Sequence, residues 1–292
     1  MPTVPCPSCG TTRHFPLGSG YPLELVRCAS CRTVFFSAKP SEQELIRHYA
    51  AYPLTGSVPE ITRKRYRELL RTLEPYRKNN RMLDVGCGEG FFLSEAKSSG
   101  WEVHGTEFSD IYLPICRSKG IEMRAGRLDA SQYAPGSFDV IAWIEVIEHI
   151  DCPQEELEKM FQLLRPGGVI YVTTPNFDSV SRKILRGKWT VIDYPGHLVY
   201  YNPDTLRRLF RRNGFEPVRI KTDGISLGRL KDALQRRSSG DHCFHAVDRD
   251  WQMRLEKNTF NRAVKRLANG ALSLAGAGDN LKALFMKPVT AK

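Results

Sequence analysis

The sequence predicts an α/β fold, a doubly wound seven-stranded sheet whose last strand is antiparallel, preceded by a small cysteine-rich module. Three observations predict it. Short apolar runs alternate with amphipathic segments from residue 81 onward, a pattern typical of a parallel sheet covered on both faces. One of these apolar runs leads directly into a glycine-rich turn. Four cysteines fall into two closely spaced pairs within the first 37 residues.

Composition limits the class of protein. A chain of 292 residues, of which 41% are hydrophobic, is large enough for one packed domain with a small appendage. No apolar run reaches the roughly 18–20 residues of a transmembrane helix, and the first residues lack the pattern of a secretory signal. We therefore expect a cytoplasmic enzyme. The net charge of +11 indicates either a basic soluble surface or an anionic partner such as nucleic acid, a phosphorylated metabolite or a nucleotide-sugar.

Residues 1–37 are predicted to form a zinc-ribbon module. They contain two Cys-x-x-Cys pairs separated by 18 residues, a spacing typical of a tetrahedral site with four thiolates. Gly10 follows the first pair, where a positive φ is often needed, whereas Arg32 follows the second pair. The predicted zinc ligands are the four paired cysteines, Cys6, Cys9, Cys28 and Cys31.

Residues 38–79 are predicted to be a linker with two helices. Ser41 and Glu44 have the spacing of a capping box, which predicts a short helix over 41–49. Apolar residues recur at helical spacing over 61–76, which predicts a second, amphipathic helix.

Residues 80–292 are predicted to be the main domain. Its strands are expected at 81–85, 102–107, 121–125, 138–146, 169–174, 215–222 and 281–286, and its helices at 90–99, 111–119, 153–164 and 203–213. Residues 225–278 interrupt this alternation, are rich in arginine and lysine, and are predicted to be a basic helical insertion before the last strand.

The glycine-rich turn predicts a nucleotide-like ligand. The strand at 81–85 leads into Gly86, Gly88 and Gly90, and a helix follows. Glycines let a ligand approach the backbone closely, and a helix N-terminus offers unpaired N–H groups. The spacing is GxGxG rather than the GxGxxG of dinucleotide-binding proteins. Asp84 would repel a pyrophosphate but suits the α-ammonium group of an amino acid.

This segment resembles motif I of the class I S-adenosylmethionine-dependent methyltransferases, which have a Rossmann-like fold. Glu107 at the end of the next strand matches the acid that binds the ribose hydroxyls in that family, and Phe108 would lie beside the adenine. After the third strand the family contacts the adenine through backbone or a carboxylate, which here implies Leu128, with Asp129 as the alternative. The cofactor-binding residues implied by the resemblance are Asp84, Gly86, Cys87, Gly88, Gly90, Glu107, Phe108, Leu128 and Glu145.

The fourth strand leads into an E-x-x-E-H segment, Glu145 to His149, which also resembles this family. His149, and His197 in the loop after the fifth strand, are candidate general bases. Ubiquinone-biosynthesis O-methyltransferases and small-RNA 2′-O-methyltransferases have a similar segment with a later histidine, which implies a second divalent metal such as Mg²⁺ at Glu145, Glu148, His149 and His197. The alternative is that Glu145 faces the cofactor and His197 packs in its loop or binds substrate.

The resemblance leaves three functions open. The zinc module and loop are similar to those of bacterial methyltransferases of surface-polysaccharide and secondary-metabolite pathways, which implies O-methylation of a small molecule, nucleotide-sugar or glycan. The alternative is an RNA methyltransferase that uses the zinc module and basic surface. A third is a non-catalytic cofactor-binding scaffold. Basic residues concentrate at 229–237 and 249–266, where they form a solvated helix face or bind a diphosphate or a membrane surface. The sequence predicts no oligomeric state.

Overall fold

The computed structural model describes residues 4–50, 54–225, 267 and 269–289. The strands are β1 (His14–Pro16), β2 (Leu25–Cys28), β3 (Val34–Phe36), β4 (Arg81–Val85), β5 (Glu102–Glu107), β6 (Glu122–Ala125), β7 (Phe138–Ile144), β8 (Leu164–Pro175), β9 (Val199–Tyr200), β10 (Glu216–Asp223) and β11 (Asn280–Met286). The helices are α1 (Glu42–Ala50), α2 (Glu60–Leu73), α3 (Phe91–Ser98), α4 (Tyr112–Ser118), α5 (Pro153–Leu163), α6 (Val180–Leu185) and α7 (Pro203–Arg212).

The main sheet has seven strands in the order β10-β11-β8-β7-β4-β5-β6. The five strands from β8 to β6 are parallel to their neighbours, whereas β11 runs antiparallel to both β8 and β10. The predicted seven-stranded α/β sheet with an antiparallel last strand is therefore confirmed. In this order β4 lies between β7 and β5, so the glycine-rich turn that follows β4 lies at the centre of the sheet edge.

Local sequence explains where the elements form. Six of the seven residues of β7 are buried, as expected for a strand covered on both faces. Helix α7 begins with a capping box, in which the Asn202 side chain accepts a hydrogen bond from the Thr205 N–H and the Thr205 hydroxyl accepts one from the Asn202 N–H. Its last turn carries Arg211 and Arg212, which favour the negative end of the helix dipole.

Two strand boundaries differ from the prediction. Strand β8 begins at Leu164 rather than 169, because Leu164 already pairs with Phe138 and the glycine-containing turn is absorbed as a shift of register before Val169. Strand β7 ends at Ile144 rather than 146, because Glu145 adopts a φ of +54° and turns the chain out of the sheet.

The cysteine-rich segment forms a second sheet of order β1-β2-β3-β9. Strand β9 comes from the main part of the chain, and it pairs antiparallel with β3 through Val34 and Tyr200 and through Phe35 and Val199. One core cluster contains Val26 and Phe35 together with residues of the main sheet such as Trp143. Residues 4–37 thus pack onto the main sheet and share its core.

Two further predictions concern the basic insertion and membrane-spanning helices. The predicted basic helical insertion at 225–278 lies largely outside the described residues. Among the residues that are described, no helix has the length and apolar character needed to span a bilayer.

Candidate cofactor and acceptor site

The glycine-rich turn after β4 is held against the end of β5. The backbone N–H groups of Gly86 and Cys87 both donate to the Thr106 carbonyl, at 2.9 and 3.1 Å. The Gly90 N–H donates to the Cys87 carbonyl at 2.9 Å, which closes the turn just before α3. The loop therefore has a fixed path between two neighbouring strands and a helix N-terminus, the arrangement in which α/β folds bind nucleotides.

Two glycines are required here for different reasons. A Cβ atom at Gly86 would lie 2.7 Å from a methyl group of Val146, so a side chain does not fit between the loop and the segment after β7. A Cβ atom at Gly88 would meet nothing within 4 Å, but Gly88 has a φ of +52°, in the left-handed region. The backbone at Gly88 is therefore open to a ligand.

The carboxylate of Glu107, at the end of β5, closes over this loop. Its Oε2 accepts a hydrogen bond from the Gly88 N–H at 2.8 Å, and its Oε1 accepts one from the Ser109 N–H at 3.0 Å. Each oxygen keeps a further lone pair, so the carboxylate can still accept hydrogen bonds from two ligand hydroxyls. This geometry suits the vicinal hydroxyls of a ribose.

Asp84 is buried next to the loop. Its side chain is 3% exposed, and its Oδ1 has no hydrogen-bond partner among the described residues. Burial, reinforced by the nearby Glu107 carboxylate, raises the pKa of Asp84 to about 8. A buried carboxyl oxygen without a partner is costly, and a cationic ligand would stabilise its ionised form. The orphaned oxygen therefore fits the α-ammonium group of S-adenosylmethionine.

A cavity of about 290 Å³ lies beside the loop, just below the ~300–1,000 Å³ range of ligand pockets. Five of the predicted cofactor residues line it, namely Gly86, Glu107, Phe108, Leu128 and Glu145. Asp84, Cys87, Gly88 and Gly90 lie in the adjoining strand and loop and do not line the cavity. The Asp129 carboxylate is engaged elsewhere, because it accepts from the Ser131 N–H at 3.0 Å and caps a short 3₁₀ turn.

The two predicted histidines are neighbours; His149 lines this cavity and His197 does not. The ring centroids of His149 and His197 are 4.8 Å apart, and His149 lines the cavity wall. The Nδ1 of His149 bonds to the Gly196 carbonyl at 2.8 Å, and the Nδ1 of His197 bonds to the Val191 carbonyl at 2.7 Å. Carbonyl oxygens only accept, so the Nδ1 of each ring carries a proton, and a neutral His149 has its lone pair on Nε2. Burial lowers the pKa of His149 and keeps it neutral near pH 7.

A potential metal-binding group includes these histidines. Ligand atoms of Glu148, His149 and His197 lie within 4.8 Å of one another, and Glu145 is not part of this group. Burial, reinforced by the charge of Glu145, raises the pKa of Glu148 well above its usual range. Two imidazoles and a carboxylate form a donor set suited to Zn²⁺ or Fe²⁺, whereas Mg²⁺ prefers oxygen ligands. The residues fit a divalent transition metal better than the predicted Mg²⁺.

The structure also brings in residues that sequence patterns did not single out. The Tyr49 ring of α1 packs edge-on against Phe108 and His149, with centroid distances of 6.2 and 6.0 Å, so α1 covers the cavity. The Glu89 carboxylate accepts three hydrogen bonds of 2.6–3.0 Å from Thr55 and Gly56. Burial alone would raise the pKa of Glu89, but these bonds outweigh it and lower the pKa. Residues of the linker thus hold the glycine-rich loop from outside.

The four paired cysteines form one cluster. Their sulfur atoms all lie within 4.8 Å of one another, with Cys6 and Cys31, and Cys9 and Cys28, 3.5 Å apart. A tetrahedral zinc site with Zn–S bonds of about 2.3 Å places its sulfurs about 3.8 Å apart. Arg32 adopts a φ of +67°, close to the +75° of Gly10 at the equivalent position of the first pair. The donor set and spacing therefore fit Zn²⁺.

The cysteine-rich sheet is connected directly to the histidine pair. The Phe36 N–H of β3 donates to the Leu198 carbonyl at 2.9 Å, and the Leu198 N–H donates to the Glu148 carbonyl at 2.8 Å. Leu198 follows His197, and Glu148 precedes His149. Two consecutive backbone hydrogen bonds therefore link the cysteine-rich module to both catalytic candidates.

Comparison with known proteins agrees with this site. A family model described as a methyltransferase domain matches residues 59–220, more than half of the chain. The ubiquinone biosynthesis O-methyltransferase of Ruegeria pomeroyi is 32% identical over 150 residues, which cover 47% of this chain and 60% of that protein. The protein of the same name from Cereibacter sphaeroides is 29% identical over 150 residues, which cover 47% of this chain and 61% of that protein. The chain thus spans about three fifths of the length of these curated relatives.

Solved structures agree on the fold. The crystal structure of a SAM-dependent methyltransferase from Archaeoglobus fulgidus superposes with a TM-score of 0.53 at 20% identity, over 85% of this chain and all of that one. At this identity the likeness establishes the α/β fold alone. The seven-stranded sheet, together with the family match, places the chain among the Rossmann-like α/β proteins. Within that class, the chain belongs to the methyltransferase-domain family.

Proposed function

We propose that the chain is an S-adenosylmethionine-dependent methyltransferase that methylates a hydroxyl oxygen of a small molecule, nucleotide-sugar or glycan in a biosynthetic pathway. The observation that carries this proposal is the position of His149, a half-buried histidine with its lone pair on Nε2, in the wall of the cofactor cavity. A hydroxyl acceptor needs a base, and a histidine with a lowered pKa is neutral near pH 7 and able to take the proton.

Separate residues of the chain would bind the cofactor and take the proton from the acceptor. Glu107 and the Gly88 backbone would hold the ribose, Asp84 the amino-acid ammonium, and Phe108 the face of the adenine. S-adenosylmethionine supplies an activated methyl group with a neutral leaving group, so no general acid is needed. His149 and His197 would then orient the acceptor hydroxyl and take its proton as the methyl group is transferred. Tyr49 would exclude water from this side of the cavity.

The four-cysteine cluster is proposed to hold a structural zinc ion. Four thiolates leave no open coordination position, so the ion would stabilise the module rather than take part in the reaction. The hydrogen bonds from Phe36 to Leu198 and from Leu198 to Glu148 support a further proposal, that this module holds the histidine pair in place.

A metal-assisted mechanism is the alternative for the base. A divalent ion at Glu148, His149 and His197 would lower the pKa of a bound acceptor hydroxyl. Glu148→Gln removes a carboxylate ligand without touching the cysteine cluster, so activity of this variant can be compared with and without added Mg²⁺, Mn²⁺, Fe²⁺ or Zn²⁺. If added metal changes the activity of neither the wild-type chain nor Glu148→Gln, the metal mechanism is contradicted and the histidine remains the proposed base.

The function is tested by release of S-adenosylhomocysteine from S-adenosylmethionine with panels of nucleotide-sugars, phenols, oligosaccharides and total RNA. We expect turnover with at least one hydroxyl acceptor, and its loss in His149→Gln. Turnover with RNA alone, falling steeply as salt rises, would instead favour an RNA methyltransferase. Cofactor binding without turnover on any acceptor would favour a scaffold.

A further inference from the structure

A second cavity, of about 360 Å³, lies away from the cofactor cavity, between the cysteine-rich sheet and α7. We name it the junction pocket, and the residues of its lining that matter here are Arg27, Arg32, Phe177, Tyr200 and Arg208. They come from β2, the second cysteine turn, the segment after β8, β9 and α7. No residue of this pocket takes part in the proposed methyl transfer.

Three arginines converge on the junction pocket without a carboxylate partner. Among the described residues, the side chains of Arg27 and Arg32 form no hydrogen bond or ion pair, and Arg208 contacts only the Cys31 carbonyl, at 3.5 Å. Arginine presents a planar fork of donors that matches phosphate and carboxylate oxygens. Three such groups around one cavity leave a local excess of positive charge.

The two acids that line the pocket do not neutralise these arginines. The Asp178 carboxylate accepts from the Asn202 amide at 2.8 Å and pairs with Arg182 at 3.6 Å. The Asp204 carboxylate pairs with Arg207 at 2.6 Å. Both carboxylates are therefore committed to groups other than the three converging arginines.

Two of the arginines also have features that the fold alone does not explain. The Nε of Arg27 is buried and has no hydrogen-bond acceptor among the described residues, although a buried donor normally has one. Arg32 holds a φ of +67°, where the first cysteine turn has glycine. Glycine would satisfy this backbone better, so the zinc-binding turn alone does not explain an arginine at position 32.

We infer that the junction pocket is a binding site for the phosphate groups of a small ligand, such as a diphosphate. The pocket has a volume of about 360 Å³, which suits a small ligand better than a nucleic acid strand. The surface of the pocket is mainly polar, as expected for a phosphate site, and buried Phe177 and Tyr200 pack beneath it. The Tyr200 hydroxyl donates to the His197 carbonyl at 3.2 Å, so an occupied pocket would also steady the histidine loop.

The inference is independent of the methyltransferase proposal, because its test measures binding without methyl donor. Inorganic pyrophosphate is titrated calorimetrically into the full chain at low salt, with zinc content measured before and after. Arg27→Gln and Arg32→Gly each remove one charge from the pocket. Arg212→Gln is the matched control, because Arg212 is an exposed residue of the same helix as Arg208 and does not line the pocket.

We expect one pyrophosphate per chain, binding weakened roughly tenfold or more in Arg27→Gln and Arg32→Gly, and less than about twofold change in Arg212→Gln. Arg32→Gly should melt no lower than the wild-type chain, because glycine suits the positive φ, so its loss of binding cannot be attributed to unfolding. Absence of pyrophosphate binding, or equal weakening in the control, would overturn the inference. So would binding of a single-stranded RNA that pyrophosphate does not displace.

Discussion

The backbone N–H of Gly88 donates a hydrogen bond of 2.8 Å to the Glu107 carboxylate, which joins the glycine-rich loop after β4 to the end of β5. The second carboxylate oxygen is held at 3.0 Å by the Ser109 N–H. These bonds fix both oxygens before any ligand arrives, and a preorganised site loses less entropy on binding. The same carboxylate is the group expected to hold the ribose, so the loop and the ribose site form one unit.

We predict that Glu107→Gln weakens S-adenosylmethionine binding by about 10- to 100-fold, the loss expected when a charged hydrogen-bond acceptor becomes neutral. Calorimetric titration measures the dissociation constant. Glu102→Gln is the matched control, since Glu102 lies on the same strand but does not line the cavity. Equal affinity in the two variants would contradict the assigned role of Glu107.

Ionised Asp84 is predicted to destabilise the ligand-free fold and to strengthen binding of the cofactor. Because burial and the Glu107 charge raise its folded pKa to about 8, above its usual value of 3.8, the folded chain binds more protons than the unfolded chain between these values. Stability therefore falls as pH rises from about 4 to 8. Asp84→Asn should remove this penalty and stabilise the ligand-free chain at pH 7 by about 1–3 kcal/mol, while weakening cofactor binding.

Thermal unfolding across this pH range, with and without S-adenosylmethionine, measures both effects. The wild-type melting temperature should decline toward pH 8 more steeply than that of Asp84→Asn, and the cofactor should raise it more in the wild-type chain. A variant that is less stable than wild type and binds the cofactor equally well would show that Asp84 has a purely structural role.

His149 is predicted to set the acidic limb of the pH–rate profile. Burial lowers its folded pKa below the usual 6.5, so the neutral base should persist below pH 6.5 and activity should fall only at lower pH. Because the pKa of His149 is lower in the folded chain than in the unfolded chain, the unfolded chain binds the proton at a higher pH as the solution is acidified. His149 therefore destabilises the fold as pH drops below about 6.5. His149→Gln should lower kcat by about 10²–10⁴-fold with little change in cofactor affinity.

Plotting kcat/KM against pH for wild type, His149→Gln and His197→Gln tests this assignment. His14→Gln serves as the control, since His14 lies on β1 outside the cavity. Loss of the acidic limb in His197→Gln, with its retention in His149→Gln, would assign the base to His197 instead.

Much of the fold and part of the site follow from local sequence patterns. The glycine-rich turn, the acid ending β5 and the paired cysteines are each set by a few consecutive residues, so their spacing is visible in the sequence. The continuous apolar run of β7 likewise predicted a central parallel strand. Each of these features is formed by residues that are close together in the sequence, so a short stretch of sequence is enough to predict it.

The rest depends on contacts between distant segments, which no local pattern encodes. Tyr49 packs on His149 across a separation of 100 residues, and the Glu89 carboxylate holds Thr55. Strand β3 likewise pairs with β9, which lies more than 160 residues further along the chain. A positive φ at Arg32 was hinted at only by its position after the second cysteine pair.

The cysteine-rich module is predicted to support turnover more than cofactor binding. Cys31→Ser should remove the zinc ion, loosen β3 and so release the Phe36–Leu198–Glu148 hydrogen bonds. Misplacement of the histidines by about 1 Å would lower kcat by about 10²-fold, whereas the dissociation constant of S-adenosylmethionine should change less than about threefold.

Zinc content by atomic absorption, kcat and calorimetric affinity are measured together for this variant. Cys152→Ser is the control, because Cys152 lies outside the four-cysteine cluster. A wild-type chain without zinc, or a zinc-free variant with full kcat, would contradict the proposed role of the module.

The central claim is that the loop after β4 and Glu107 bind S-adenosylmethionine, and calorimetric titration of the full chain tests it most directly. We predict one S-adenosylmethionine per chain, competition by S-adenosylhomocysteine, and no binding of NAD, because Asp84 disfavours a pyrophosphate beside the glycine-rich loop. Binding of NAD without binding of S-adenosylmethionine would contradict the account.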